Sequence, residues 1–402
     1  MSLATCLCAL LLLIIIWLVL DFRLGRKKHL SIASFMETTI LHGYVDIFTH
    51  GKELFADYFQ EIRQAKKHIH VLFYIVKDDS FGQEFLEMLK EKAREGVEVR
   101  LLADRLGSWR LKPSTVKALR EAGVKFAFSN RIKLPFLFYS AQVRNHRKIT
   151  IIDGEIGYLG GFNIGKEYID QDPKLSPWRD YHLKILGESV HSLQSEFMID
   201  WEEYGGENLQ HEPPYFPEKS LSRGPVRHQF VPTEAGMLEG KFIQVIQKAK
   251  NSIIIGSPYF VPSNRVMSEL ILALSRGVTL TIIVPYNADH LLVQEGSYRY
   301  LRKLLKIGAK VYQYKNGFYH AKTMVIDDNI CDVGTANFDK RSFFLNKEIN
   351  CYIYDSAFIT RVKEVIEKDI ADSLPLTIDK LNKPNPWRAT KEILARFISY
   401  FL

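Results

Sequence analysis

Cysteine is scarce in this sequence, with 4 residues among 402. So few cysteines exclude a disulfide framework for a chain of this length. Cys6 and Cys8 fall in an apolar N-terminal stretch, and Cys331 and Cys351 show no metal-ligand spacing with histidine. The pattern indicates an intracellular protein with free thiols and predicts no metal site.

Strong compositional bias is also missing, and there is no long basic tract. The 47% hydrophobic and 25% charged residues are ordinary globular proportions, which excludes collagen-like and disordered chains. The length allows about two or three domains. The net charge of +8 favours anionic partners such as phospholipid surfaces, phosphodiesters or nucleic acid. Because the cations are spread along the chain, we expect no nucleic-acid partner.

The stretch Leu3–Leu20 is almost wholly apolar. As a helix it would span about 27 Å, close to the hydrocarbon thickness of a bilayer. It lacks the preceding basic residues and the following cleavage site of a signal peptide. The cations follow it instead: Arg23, Arg26, Lys27 and Lys28. Positive charge on that side predicts a single-pass anchor, residues 1–28, with the rest of the chain in the cytoplasm.

The remaining chain repeats one pattern of helices and strands. Strand-like runs at 69–76, 97–103 and 124–128 alternate with helical stretches, and the runs 252–255, 278–284 and 310–314 replay that order. Glycines end corresponding helices: Gly96 matches Gly277, and Gly123 matches Gly308. We expect two homologous α/β lobes, each built around a largely parallel sheet.

These patterns set the expected domain limits. The first lobe takes residues 38–210 and the second takes 225–385. A linker at 211–224 separates them, and it contains three prolines in His211–Glu218. The tail, 386–402, has apolar residues at helical spacing, which fits an in-plane membrane helix or a helix docked on the second lobe; we favour the membrane. The aromatic run Leu134–Tyr139 fits either a membrane-interface loop or the core.

Both lobes carry the same set of polar residues, H-x-K-x-x-x-x-D followed by G-x-x-N. The two sets are His146, Lys148, Asp153, Gly160 and Asn163, and His320, Lys322, Asp327, Gly334 and Asn337. Every residue of the second set lies 174 positions after its counterpart. One copy would be a weak signal, but a duplicated five-residue pattern is a strong one.

The spacing has a chemical interpretation. His146 and Lys148 share one face of a strand, and two lobes paired about a pseudo-twofold axis would bring both such faces into one cleft. One histidine can act as a nucleophile and the other as an acid, while lysine and asparagine hold phosphate oxygens. Asp153 and Asp327 close their strands, and we favour a structural turn role for them. A non-catalytic binding module would tolerate a degenerate set, whereas both sets are intact.

These motifs resemble the phospholipase D superfamily, whose signature is two HKD motifs, from about Val45 to about Asp372. Other segments resemble bacterial cardiolipin synthases in particular. They are Ser257–Pro262, Gly334–Glu348, Trp178–Asp180 with His182, and Asp200–Trp201. The resemblance implies two lobes with the active site between them, in a bacterial cell membrane. It also implies a cofactor-free, metal-free exchange in which two phosphatidylglycerol molecules give cardiolipin and glycerol through a phosphohistidine.

The resemblance implies roles for single residues. His146 would be the nucleophile and His320 the general acid and base. A nucleophilic histidine needs an acceptor on its other ring nitrogen, and Asp180 and Glu348 are the candidates. A membrane-tethered phospholipase D hydrolase would use the same residues with water, and a nuclease is a weaker alternative.

Two features depart from the family pattern. Many members have two N-terminal spans, whereas one is predicted here. Gly161 stands where the second lobe has Thr335, so a hydroxyl contact is expected on one side only.

Overall fold

The computed structural model describes residues 2–33, 37–210, 212–217 and 222–401. Within these ranges there are thirteen α-helices and sixteen strands. The helices are α1 Leu3–Ile32, α2 Gly51–Gln64, α3 Ser80–Arg94, α4 Pro113–Glu121, α5 Leu137–Gln142, α6 Val190–Gly205, α7 Met237–Gln247, α8 Asn264–Ser275, α9 Val293–Lys306, α10 Lys340–Phe344, α11 Ser356–Ala371, α12 Ile378–Asn382 and α13 Pro386–Ile398. Part of the predicted linker, His211 and 218–221, lies outside the described residues.

The strands alternate with these helices along most of the chain. They are β1 Leu41–His50, β2 His68–Phe73, β3 Glu98–Asp104, β4 Lys125–Ser129, β5 Ile149–Ile152, β6 Ile156–Gly160, β7 Trp178–Leu186, β8 Val226–Thr233, β9 Ser252–Gly256, β10 Thr279–Pro285, β11 Lys310–Tyr314, β12 Phe318–Tyr319, β13 Thr323–Ile326, β14 Ile330–Gly334, β15 Glu348–Ile353 and β16 Ser373–Pro375.

The strand order confirms the predicted repeat. From the centre outward, the first lobe runs β1-β7-β6-β5-β2-β3-β4, and the second runs β8-β15-β14-β13-β9-β10-β11 with β16 at its edge. The two orders correspond strand for strand. They join where β1 pairs antiparallel with β8, with His42 opposite Arg227. The lobes are therefore related by a pseudo-twofold arrangement about this pair.

The expectation of a largely parallel sheet in each lobe is wrong. Only β2-β3-β4 and β9-β10-β11 pair in parallel in the described part of each lobe's repeated order. The strands after them are antiparallel, because β5 is joined to β6, and β13 to β14, by tight turns rather than by crossover helices. The motif strands β5 and β13 thus begin the antiparallel part of each lobe.

The two lobes share a hydrophobic core. Ile151 and Leu183 of the first lobe belong to the same buried cluster as Val333 and Ile349 of the second. Each lobe also has its own cluster beneath its helices. Residues at the seam are therefore held by packing from both sides, which suits a rigid site shared between the lobes.

The N-terminal helix α1 is longer than the predicted span. An 18-residue window in it has a mean hydropathy of 3.1 and is 0% buried, so it is long and apolar enough to cross a membrane. The helix continues beyond Leu20 because its polar end docks on the first lobe. Asp21 Oδ1 accepts a hydrogen bond from the backbone N–H of Tyr139 at 2.7 Å, and His29 Nδ1 lies 2.8 Å from Tyr139 Oη. The anchor is thus joined to the first lobe by specific polar contacts.

The aromatic run and the C-terminal tail meet at this junction. Phe22 of α1 packs against the rings of Phe138, Tyr139, Tyr400 and Phe401. Tyr139 is buried, whereas Leu134 at the start of the run is 77% exposed. The run therefore contributes to the core at one end and to the surface at the other.

Helix α13 docks on α9 of the second lobe through polar contacts. Glu392 receives two hydrogen bonds from Arg302, at 2.6 and 2.7 Å, and Lys391 pairs with Glu295 at 3.2 Å. Its opposite side leaves apolar residues uncovered, with Phe397 82% exposed. One face of α13 is thus docked on the second lobe. That the other face lies in the membrane stays a prediction.

Candidate active site

Both motif histidines lie just before the antiparallel part of their lobe. His146 precedes β5 and His320 precedes β13. Each is held by a backbone hydrogen bond to the opposite lobe: the N–H of His146 donates to Lys347 O at 2.9 Å, and that of His320 to Arg179 O at 2.7 Å. Both imidazoles line one cavity of about 280 Å³, which we call the active-site cavity.

Each imidazole binds a carboxylate from the other lobe. His146 Nδ1 lies 2.9 Å from Glu348 Oε2, and His320 Nδ1 lies 2.6 Å from Asp180 Oδ2. Both carboxylates are buried at the start of corresponding strands, Asp180 in β7 and Glu348 in β15. The Nδ1 atoms are thereby engaged, which leaves the Nε2 atoms for chemistry.

Two hydroxyl groups hold Glu348, whereas the described contacts of Asp180 include no hydroxyl donor. Thr335 Oγ1 donates to Glu348 Oε2 at 2.7 Å, and Ser342 Oγ donates to Glu348 Oε1 at 2.8 Å. In the first lobe Gly161 occupies the position of Thr335, and a Cβ there would lie 2.0 Å from Asp180 Oδ1. Among the residues that the structure describes, the hydroxyl contact therefore exists on one side only, as the sequence predicts.

Burial sets the protonation of the site. It lowers the pKa of His146 to about 4 against the attraction of Glu348, and that of His320 to about 4 with help from Lys322. It also lowers the pKa of Lys148 to about 7 and that of Lys322 to about 8. Both imidazoles are neutral near pH 7, as a nucleophile requires.

The two carboxylates remain ionised despite their burial. Burial disfavours the charge of Asp180, but Lys322 and His320 outweigh it and hold the pKa below its usual value. Burial likewise opposes the charge of Glu348, and His146 outweighs it, so its pKa is also lowered. Each histidine thus faces a negative charge that can stabilise its protonated form.

The motif lysines lie beneath the histidines rather than in the cavity wall. Lys148 Nζ donates to the carbonyl oxygen of His146 at 2.7 Å. Lys322 Nζ donates to the carbonyl oxygen of His320 and lies 3.4 Å from Asp180 Oδ2. They place positive charge close to the reacting position while fixing the backbone of the motif.

The motif asparagines do line the cavity. Asn163 Oδ1 accepts a hydrogen bond from the Ile75 N–H at 3.1 Å, and its Nδ2 donates to Tyr168 Oη at 3.2 Å. Asn337 Oδ1 is buried and has no hydrogen-bond partner among the described residues. Both amides thus face the same cavity as the two imidazoles.

The motif aspartates are not brought into the cavity. Asp153 accepts hydrogen bonds from the backbone N–H groups of residues 66–68, the shortest at 2.7 Å from Lys67. Asp327 does the same for residues 250–252, at 2.8 to 3.0 Å. Both aspartates have left-handed backbones, with φ of 53° and 51°. These contacts fit the turn role favoured from the sequence.

The sequence analysis did not single out several residues of the cavity wall. They are Tyr74, Arg144, Tyr168, Asp289 and His290. Tyr74 directly follows the buried strand β2, and Asp289 follows β10 by a short loop. The carboxyl ends of parallel strands share one sheet edge, so the position after the predicted run 278–284 was the available signal for Asp289. Tyr74 fell inside the predicted run 69–76 and gave no such signal.

Comparisons with known proteins agree with this geometry. A family of cardiolipin synthase, phospholipase D-like domains matches residues 58–175 and 242–370. The minor cardiolipin synthase ClsB of Bacillus subtilis (strain 168) is 39% identical over 385 residues, which cover 96% of this chain and 96% of that protein. The major cardiolipin synthase ClsA of the same organism is 39% identical over 89% of this chain and 75% of its own length.

Solved structures share the fold at low identity. Phosphatidylserine synthase of Haemophilus influenzae Rd KW20 aligns with a TM-score of 0.73 at 17% identity, over 94% of this chain and 99% of that one. Polyphosphate kinase of Porphyromonas gingivalis aligns with a TM-score of 0.55 at 14% identity, over 93% of this chain and 56% of that one. The family match and the curated relatives, together with the two-lobed fold, show that the chain belongs to the cardiolipin synthase family of the phospholipase D superfamily.

Proposed function

We propose that the protein is a phosphatidyltransferase that makes cardiolipin and glycerol from two molecules of phosphatidylglycerol. The observation that carries this proposal is the pair of buried imidazoles in one cavity, each bound through Nδ1 to a carboxylate of the other lobe. A double displacement at phosphorus needs two such groups, a nucleophile and a proton carrier. No cofactor enters the reaction.

In the first step His146 Nε2 attacks the phosphorus of one phosphatidylglycerol. The bond from phosphorus to the glycerol headgroup oxygen breaks, and His320 gives a proton to that oxygen, so that glycerol leaves. His320 is neutral in the free enzyme because its pKa is about 4. A phosphodiester anion beside it, together with Asp180, favours the protonated form that the step requires.

In the second step the acceptor is the hydroxyl of another phosphatidylglycerol, whereas a hydrolase would use water. His320 takes the proton from that hydroxyl, and the oxygen attacks the phosphorus of the phosphohistidine. The bond from phosphorus to His146 breaks, which releases cardiolipin and restores the neutral nucleophile. Glu348 stabilises the positive charge that His146 carries while the phosphorus is attached.

The remaining motif residues divide into two groups. Lys148 and Lys322 supply positive charge near the phosphorus, and Asn163 and Asn337 hold oxygens of the substrate. Asp153 and Asp327 act through the backbone turns that they bind.

The protein works at a membrane, which fits the apolar helix α1 and a lipid substrate. We place the lobes on the cytoplasmic side, because the cations that follow the span favour that side. The anchor is then 1–28, the lobes are 38–210 and 225–385 with the linker 211–224 between them, and the tail is 386–402. Anionic membrane lipids are the expected partners, and nucleic acid is not.

The test is product analysis with the purified full chain in mixed micelles of phosphatidylglycerol and detergent. We expect cardiolipin and free glycerol, both absent in His146→Ala and His320→Ala and retained in His42→Ala, a histidine of β1 outside the cavity wall. Phosphatidic acid as the only product would contradict transfer and identify a tethered phospholipase D. Mass spectrometry of the parent protein, quenched with denaturant at neutral pH during turnover, should find the phosphatidyl group on His146; label elsewhere would reassign the nucleophile.

A further inference from the structure

A second cavity lies where α1 meets the first lobe. Its volume is about 550 Å³, and we call it the junction cavity. Lys28 and Ile32 from α1 line one side, and Arg131, Lys133, Leu134 and Phe136 line the other. It shares no lining residue with the active-site cavity within the described part of the chain. It is therefore a separate feature of the molecule.

The junction cavity has an excess of uncompensated positive charge. Lys28, Arg131 and Lys133 are exposed, and in the described residues none of them has an ion pair. The carboxylate in the wall, Glu203, is paired with Lys347 at 2.6 Å, and Lys347 also pairs with Asp200 and Glu234. Three free cations around a concave surface favour an anionic ligand.

Apolar groups lie next to these cations. Leu134 is 77% exposed and Ile32 is 71% exposed, although both are large aliphatic side chains. They sit beside the end of the only described helix that is apolar enough to cross a membrane. A ligand with a phosphate and hydrocarbon chains would satisfy both kinds of surface, because the phosphate meets the cations and the chains cover the apolar residues.

We infer that the junction cavity is a non-catalytic binding site for an anionic phospholipid. Its occupant touches the segment that orients the catalytic machinery. Lys347 lines the cavity and directly precedes Glu348, and its backbone carbonyl accepts the hydrogen bond from the His146 N–H at 2.9 Å. A lipid bound in the junction cavity therefore contacts Lys347, the residue next to Glu348 of the His146–Glu348 pair.

Photolabelling of the full chain tests this site independently of turnover. The probe is a phosphatidic acid with a diazirine near the start of one acyl chain, added to the His146→Ala protein in phosphatidylcholine nanodiscs. Peptide mapping should place label on residues 128–140 and on the end of α1. The variant Lys28→Gln/Arg131→Gln/Lys133→Gln should lose about tenfold of that label. The matched control is Arg23→Gln/Lys27→Gln/Arg396→Gln, which removes three other exposed cations, two on α1 and one on α13, and should keep the label.

Each outcome decides the proposal. Equal loss of label in the two triple variants would mean general charge attraction and would overturn the site. Displacement of the probe by excess inorganic phosphate would point to a free-phosphate site and would overturn the lipid assignment; persistence of the label supports it. Failure of cardiolipin synthesis would sink the proposed function and leave this labelling result unaffected, so the two failures are distinguishable.

Discussion

The Nδ1 atom of His146 lies 2.9 Å from Oε2 of Glu348, although the two residues belong to different repeats. In the equivalent contact of the other pair, His320 Nδ1 lies 2.6 Å from Asp180 Oδ2. Each lobe therefore contributes the imidazole of one pair and the carboxylate of the other. A lobe taken alone would keep a motif histidine but lose the group that orients it.

The first prediction concerns Glu348. The change Glu348→Gln removes the negative charge that stabilises a positively charged His146, so we expect phosphohistidine formation to fall by roughly 10²–10⁴-fold. Single-turnover labelling with radioactive phosphatidylglycerol measures that step directly. KM should change much less than kcat, because the carboxylate faces the histidine and not the substrate.

Asp332→Asn is the matched control for that change. Asp332 is a buried carboxylate on the neighbouring strand β14, bound by Asn350 Nδ2 at 2.8 Å. Burial raises its pKa to about 8, so it is mostly neutral at pH 7 and an amide preserves its charge. Turnover in this control should stay near the parent value, and equal losses in both variants would refute a specific role for Glu348.

The second prediction concerns Gly161. A Cβ at this position would lie 2.0 Å from Asp180 Oδ1, so Gly161→Ala must displace the carboxylate that binds His320. We expect at least a tenfold loss of kcat, since misplaced catalytic groups cost about that much or more. Gly240→Ala on α7 is the control, because nothing lies within 4 Å of its added methyl group. Undiminished turnover in Gly161→Ala would show that Asp180 is dispensable.

The third prediction is a pH profile with different alkaline limits for kcat/KM and kcat. In the free enzyme the pKa of Lys148 is about 7 and that of Lys322 about 8, so rising pH removes the charges that attract the phosphodiester. We expect kcat/KM to decline above about pH 7, where Lys148 loses its charge first. A bound anion favours the protonated lysines, so kcat should decline at a higher pH. On the acid side activity should persist to about pH 5, because both imidazoles protonate only near pH 4. Identical limits in the two profiles would contradict this assignment.

The fourth prediction separates stability from chemistry at Asp153. Its carboxylate receives three backbone hydrogen bonds, so Asp153→Ala should lower the free energy of unfolding by about 1–3 kcal/mol. Thermal unfolding measures this loss, and kcat per folded molecule should remain close to the parent value. Asp328→Ala is the control, since that carboxylate is 76% exposed and pairs only with Lys363 in the described contacts. Loss of kcat without loss of stability would mean that Asp153 takes part in the reaction.

The fifth prediction places the open face of α13 in the membrane interface. Trp387 and Phe397 of α13 are 71% and 82% exposed, and aromatic side chains are favoured at the headgroup level. Brominated phospholipids in nanodiscs should quench its fluorescence, identified as the component lost in Trp387→Phe. An unquenched Trp387 component would mean that this face of the tail meets water.

The sequence predicts the duplicated architecture and the motif because both rest on local spacing. The equal intervals within His146–Asn163 and His320–Asn337 need no tertiary information. The pairing of Glu348 with His146 is different in kind, since it joins residues 202 positions apart through the packing of two sheets. The mixed sheet was missed for a related reason: a short buried run such as Ile149–Ile152 has the same pattern in a parallel or an antiparallel strand. The extension of α1 depends on contacts with Tyr139 that hydropathy does not report.

The difference between Gly161 and Thr335 bears on how such a protein can arise. In a symmetric dimer of single-lobe chains, both positions would have to hold the same residue. In this chain a Cβ at 161 would strike Asp180, whereas glycine at 335 would leave Glu348 without the hydroxyl donor that Thr335 supplies. Fusion of the two lobes into one gene removes that constraint, so each half can be tuned separately. The two histidine–carboxylate pairs can therefore differ through residues 161 and 335, neither of which lines the active-site cavity in the described part of the chain.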